Sequence, residues 1–156
     1  MNLLVDDLDI ESMLPHGNDF VWVDRVVEAD ELTICCQSKP LVGSGVLRML
    51  NRPRPGGQEF TGQENSRHTS LLLEYAAQVA AVHGALLAGT QSSSSEMYVG
   101  AVKKVEFLRD DFIVAEPMTA VLHIQVANQQ GSIYDFDVEQ SGNRLVAGRL
   151  VLIAQD

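Results

Sequence analysis

The sequence predicts an α+β protein in which an antiparallel sheet wraps around one long central helix. Three observations carry this expectation. "LLLEYAAQVAAVHGALLA" (71–88) is a helix-length run too apolar to lie in water. A strand pair precedes it, and four strand-like stretches separated by short turns follow it. Residues 118–126 alternate, with Met118, Ala120, Leu122, Ile124 and Val126 on one face and Thr119, His123 and Gln125 on the other. Strands joined by short turns pair antiparallel, and the helix must lie across the sheet they form. A chain of 156 residues suits one domain, spanning 1–156.

A short helix or turn through Ile10 to Leu14 meets Pro15. "FVWVDRVVEAD" (20–30) and "ELTICCQSK" (31–39) are rich in β-branched and aromatic residues and read as the first two strands. Residues 40–67 lack a period and contain Gly43, Gly45, Pro53, Pro55, Gly56 and Gly57, the composition of a long loop. The central helix opens near Thr69 or Ser70, either of which can cap it, and stops at Gly89. At about 1.5 Å per residue it spans roughly 29 Å, enough to cross a small sheet. After the polar "TQSSSS" come strands at 97–109, 118–127, 132–140 and 144–154, with "NQQG" and "SGN" as hairpin turns. A sheet wrapped around a helix in this way is the hotdog arrangement.

Bulk charge narrows the partners. Eleven basic against 21 acidic residues give a net charge of -10, which disfavours nucleic acid and anionic membrane surfaces. The first thirteen residues lack the basic flank of a secretory signal. Glu74, Gln78 and His83 interrupt the one run that might otherwise suggest a membrane span. Cys35 and Cys36 are adjacent in a strand, point to opposite faces, and read as small apolar side chains of a reducing cytoplasm. With no further ligands near them, no metal and no cofactor is expected. "GSG" at 43–45 lacks the strand–turn–helix setting of a phosphate loop or nucleophile elbow.

Glu74 is the informative residue. A capping box fits poorly, because Glu74 lies five residues after Thr69 and four after Ser70. It either faces solvent or faces a cavity, with Gln78 one turn on to hold its carboxyl. In the second case an apolar wall would move the carboxyl toward neutrality, which suits a general acid or base. Free backbone N–H groups around Thr69 to Leu71 would then be placed to polarise a carbonyl oxygen.

Three motifs in order resemble the 3-hydroxyacyl-acyl-carrier-protein dehydratases: "LPHGNDFVWVDRVVE" (14–28), "LLLEYAAQ" (71–78) and "VKKVEFLRDDFIVAEPMTAVLHI" (102–124). The "EYAAQ" form is most similar to the dehydratase-like branch found in aryl-polyene lipid clusters. The resemblance implies a hotdog dimer that dehydrates 3-hydroxyacyl thioesters carried on acyl carrier protein or coenzyme A. It implies that Glu74 protonates the leaving hydroxyl while a His from the other subunit removes the α-proton. It also places Thr69, Ser70, Gln78, His16 and Phe60 along the substrate.

One departure stands out. The family's catalytic His falls fourteen residues before the Glu, where this chain has Phe60, and residues 40–67 hold no His. His68, six residues before Glu74, is the best-placed substitute; its alternative is a plain His at the helix mouth. His16 matches a non-catalytic family position, and His83 lies on the opposite side of the helix, where packing or hydrogen bonding is expected. A heterodimer whose other subunit supplies the His would explain a chain that keeps the Glu alone; a homodimer and a higher oligomer stay open. Arg48, Arg52 and Arg54, with Lys103 and Lys104, form two basic clusters that could dock an acidic carrier protein or simply be solvated. The competing functions are a hotdog thioesterase and a non-catalytic acyl or carrier-protein binding subunit.

Overall fold

The computed structural model describes residues 3, 5–14, 20–41, 66–89 and 97–155. Helix α1 (Ile10–Met13) is capped by Asp9, whose carboxylate accepts the Ser12 N–H. Strands β1 (Val23–Ala29) and β2 (Thr33–Ser38) follow. The Asp30 carboxylate closes the turn between them by accepting the Leu32 and Thr33 N–H groups, each at 2.8 Å. A short strand β3 (Ser66–His68) leads through a 3-10 turn (Thr69–Leu71) into helix α2 (Leu72–Ala88). Gly89 ends the helix at φ 62°, a left-handed conformation that costs glycine little. Strands β4 (Met97–Phe107), β5 (Asp111–Ile113), β6 (Thr119–Asn128), β7 (Gly131–Gln140) and β8 (Asn143–Ala154) complete the chain.

Six strands form one antiparallel sheet in the order β1-β2-β6-β7-β8-β4. The hairpin between β7 and β8 turns on Ser141 and Gly142, both at positive φ, as a two-residue primed turn requires. Helix α2 lies over β1, β2, β6 and β7. This is the hotdog arrangement expected from the sequence. The helix is long and apolar enough to cross a membrane by length and composition alone, yet here it is the core helix, with its sheet-facing side chains buried.

The core forms where the helix meets the sheet. Trp22, Tyr75 and Phe112 are buried together, Trp22 stacking on Tyr75 at 6.2 Å and tilting against Phe112 at 6.2 Å. The Tyr75 hydroxyl donates toward the carbonyls of Cys36 in β2 (2.9 Å) and of Met118 just before β6 (3.2 Å), so the buried O–H has a partner. His83 is buried, as expected for its side of the helix. Its Nε2 meets the Asp30 carbonyl at 2.7 Å and its Nδ1 the Tyr134 hydroxyl at 3.0 Å, tying the β1–β2 turn and β7 to the helix.

The strands differ from the sequence reading in three places. β3 and β5 form a small second sheet, with Ser66, Arg67 and His68 opposite Ile113, Phe112 and Asp111. Three-residue strands carry too little pattern to show in a sequence. Met118, Ala120 and Leu122 face inward as expected, but a bulge between Ile124 and Val126 turns Val126 out to 46% exposure. The predicted 97–109 strand ends at Phe107 and has no buried residue along its length.

Cys35 and Cys36 are free thiols. Burial pushes the Cys36 thiol up to about 12, and burial with the nearby Glu28 and Glu139 carboxylates raises Cys35. Neither is therefore a reactive thiolate at neutral pH. Titration of the native protein with a thiol-specific disulfide reagent near neutrality should detect no thiol within minutes, and both after denaturation.

Candidate active site at the start of the central helix

Glu74 occupies the first turn of α2, and one turn further on Gln78 holds it, Gln78 Nε2 donating to Glu74 Oε1 at 3.2 Å. The two side chains have different surroundings. Gln78 is 2% exposed, whereas Glu74 is exposed within the single chain. A carboxyl sunk in an apolar wall, one of the two sequence expectations, is not what one chain provides. The reason is angular: at 100° per residue the sheet-facing side of α2 carries Leu72, Tyr75, Val79, Val82 and His83, and Glu74 lies on the other side.

The Gln78 amide does more than orient Glu74. Its Oε1 accepts the Trp22 N–H at 2.8 Å, and its Nε2 also donates to the Phe20 carbonyl at 2.9 Å. A side chain thus pairs with two backbone groups much as a neighbouring strand would, and joins the segment before β1 to the helix. Both amide hydrogens are used, which makes Gln78 a positioning group and leaves no donor for a substrate. The connection to Phe20 and Trp22 was invisible in the sequence, where these residues lie 58 and 56 positions away.

The groups expected to bind substrate at the helix start are engaged within the chain. Thr69 is buried, its N–H donating to the Asp110 carbonyl at 2.8 Å and its hydroxyl to the Arg109 carbonyl at 2.7 Å. It fastens the turn to the loop after β4. The Ser70 N–H donates to His68 Nδ1 at 3.1 Å, and the Ser70 hydroxyl meets the same nitrogen at 2.8 Å. The Thr69 and Ser70 amides are therefore not free to polarise a carbonyl. The cap of this turn is His68, where the sequence suggested Thr69 or Ser70.

That bond also bears on what His68 can do. A backbone N–H only donates, so Nδ1 presents its lone pair and the neutral ring carries its proton on Nε2. The ring rests against Phe107 of β4, centroids 5.6 Å apart, and is otherwise exposed. His16, Phe60, Arg48, Arg52 and Arg54 lie outside the described residues. Lys103 and Lys104 are exposed on β4, at a bulge where Lys104 adopts φ 52°. Among the described residues no cluster of His, Cys, Asp and Glu is arranged to hold a metal.

A sheet wrapped around a helix that opens with a Gln-held carboxylate defines a hotdog chain with a candidate acid–base group at the helix start. Residues 8–156 match the model described as ApeP-like, ApeP dehydratase, and the chain belongs to that family. It is 27% identical over 137 residues to the 3-hydroxyacyl-[acyl-carrier-protein] dehydratase FabZ of Rickettsia felis, covering 86% of this chain and 83% of that one. Its fold is similar to the dehydratase heterocomplex ApeI:P from Xenorhabdus doucetiae, with a TM-score of 0.78, 15% identity and coverage of 96% and 92% of the two chains. It is also similar to a hypothetical thioesterase with coenzyme A from Streptococcus pneumoniae, with a TM-score of 0.59, 7% identity and 94% coverage of each chain.

Replacing Gln78 by Met keeps the volume and removes three hydrogen bonds, leaving a buried N–H at Trp22 and a part-buried carbonyl at Phe20 without their side-chain partner. Urea unfolding should show a loss of about 3 kcal/mol, several times the cost of an exposed substitution.

Proposed function

We propose that the chain is one subunit of a 3-hydroxyacyl thioester dehydratase, in which Glu74 gives the proton that the departing hydroxyl needs. The observation that carries this reading is the Glu74–Gln78 pair at the start of the helix in a member of a dehydratase family. In the reaction a base takes the Cα proton, the Cβ–OH bond breaks, and Glu74 protonates that oxygen so that it leaves as water. Gln78 fixes the carboxyl oxygen that is not needed for transfer.

The base is proposed to come from a second hotdog subunit. His68 Nδ1 is occupied by the Ser70 N–H, and the remaining ring nitrogen bears a proton, so His68 is a poor acceptor for the α-proton and serves best as a cap. Glu74 is exposed in one chain, and a covering surface is needed to exclude water from around it. A second subunit would supply both the cover and the base. β4 supports such a contact: it has no buried residue and, among the described residues, pairs only with β8, while Met97, Tyr98, Val99 and Phe107 are each more than 40% exposed.

The substrate is proposed to arrive on an acyl carrier protein, which the name of the Rickettsia felis dehydratase gives as the carrier for that enzyme. Arg48, Arg52 and Arg54 are the docking candidates, in a cytoplasm where such carriers work. Incubating a 3-hydroxyacyl thioester with this chain, alone and together with a His-bearing hotdog subunit from the same genome, should raise enoyl absorbance only in the mixture. Glu74→Gln should lower that rate by about 10²- to 10⁴-fold, with unfolding unchanged. Release of free thiol without enoyl product would identify a thioesterase instead, and saturable binding without turnover a non-catalytic subunit.

A further inference from the structure

We propose that His68 is a positioning residue whose neutral ring holds the turn leading to Glu74, so that protonating this one imidazole loosens the start of the central helix and the aim of the carboxylate. The consequence for turnover rests on the reading above, in which Glu74 is the acid. The consequence for the helix does not.

Among the described residues this end of the helix has one side-chain cap, and it lies before the α-helix itself begins. Leu71 stands at the cap position of α2 and makes no side-chain cap bond. The Thr69 hydroxyl is drawn away to the Arg109 carbonyl. The capping bond comes from His68, whose backbone is extended at φ -66° and ψ 139°, as a cap requires. The 3-10 turn (Thr69–Leu71) passes straight into α2, and Glu74 sits in the first turn of that helix. Fraying of this turn therefore reaches Glu74 directly.

Most capping side chains offer an oxygen, but here the acceptor is a nitrogen that takes up a proton. The two Ser70 groups ask different things of it. The Ser70 N–H, 3.1 Å from Nδ1, can only donate and needs the lone pair. The Ser70 hydroxyl, at 2.8 Å, can donate or accept and is satisfied by either form of the ring. Protonation at Nδ1 keeps the hydroxyl bond and sets two donors against each other at the N–H. It also places a positive charge at a helix N-terminus, where the peptide dipoles are already positive. The cap therefore stabilises the turn while the ring is neutral, and is lost as pH falls through the range in which imidazole takes up a proton.

The charged groups on the elements that meet His68 have both signs. Asp111 lies opposite it in the β3–β5 pair, Asp110 and Arg109 hold Thr69 through their carbonyls, and Arg67 precedes it. Glu106 adjoins Phe107, on which the ring rests, and Glu74 follows on α2. Among the described residues none of these carboxylates lies within ion-pair distance of the ring. The bond to the Ser70 N–H is the contact that tells the two charge states apart. Thr69 keeps both its bonds whatever the charge on His68, so the turn frays and does not unfold.

Asparagine is the informative replacement. Its Oδ1 is attached to Cγ as Nδ1 is in histidine, it ranks among the best caps, and it does not titrate. In thermal melts of the full chain at about pH 8, His68→Ala should melt about 3 °C below His68→Asn, both having lost the ring contact with Phe107. Between about pH 8 and about pH 5.5, wild type should lose about 3 °C relative to His68→Asn. Circular dichroism at the higher pH establishes that all three are folded. With the His-bearing partner subunit, the rate of His68→Asn divided by that of wild type should rise about 5-fold over the same interval, the worth of an ordinary cap. Titration of Glu74 and of the partner's base cancels in that ratio. Melts of wild type and His68→Asn that run parallel with pH overturn the proposal, as does an alanine variant as stable as the asparagine one. A His68→Asn variant inactive at every pH would make His68 the base itself, and overturns it too. If no mixture turns over, the dehydratase role fails, while the melts still decide the role of His68.

Discussion

An apolar helix of this length has to be covered, and one six-stranded sheet can cover only one side of it. α2 buries Leu72, Tyr75, Ala76, Val79, Ala80, Val82 and His83 against its own chain. The opposite side, Glu74, Ala77, Ala81 and Ala85, stays partly or fully open. Water tolerates small alanines there, and it tolerates a carboxylate, which is where α2 carries its one acidic residue. The same shortage of cover recurs at β4, whose apolar side chains have no layer above them among the described residues. Fold and site therefore share one cause, a core helix with more surface to cover than a single sheet supplies.

How much could be read beforehand depended on the length over which a pattern repeats. α2 and the strands β6, β7 and β8 each run for ten residues or more, so periodicity outweighs local exceptions. The tripeptides of β3 and β5 have no period to detect, and bulges such as that after Ile124 change the face of a strand without any mark in composition. The cap was misplaced because capping propensity favours Thr69 and Ser70 locally. Tertiary contacts decided otherwise: the Thr69 hydroxyl is taken by the Arg109 carbonyl, forty residues away, which leaves His68 to cap the turn.

The site was legible in the same partial sense. Glu74 and Gln78 at i and i+4 were readable as a pair because helical geometry puts them together whatever surrounds them. Their unequal burial was not, since it depends on where the sheet lies around the helix. The stronger bonds of Gln78, to the backbone at Phe20 and Trp22, are products of the fold alone. For His68 the sequence could show nearness to Glu74; only the bond to the Ser70 amide tells which ring nitrogen holds the proton.

Gln78 recognises peptide groups, and every residue except proline offers the same N–H and carbonyl. The grip on the helix therefore places no demand on the side chain at position 20, although Phe20 stands at the mouth of the segment, 38% exposed. An exchange of that side chain leaves both backbone bonds to Gln78 in place, and with them the bond by which Gln78 holds the Glu74 carboxylate. The placing of the carboxylate is thereby uncoupled from the identity of residue 20.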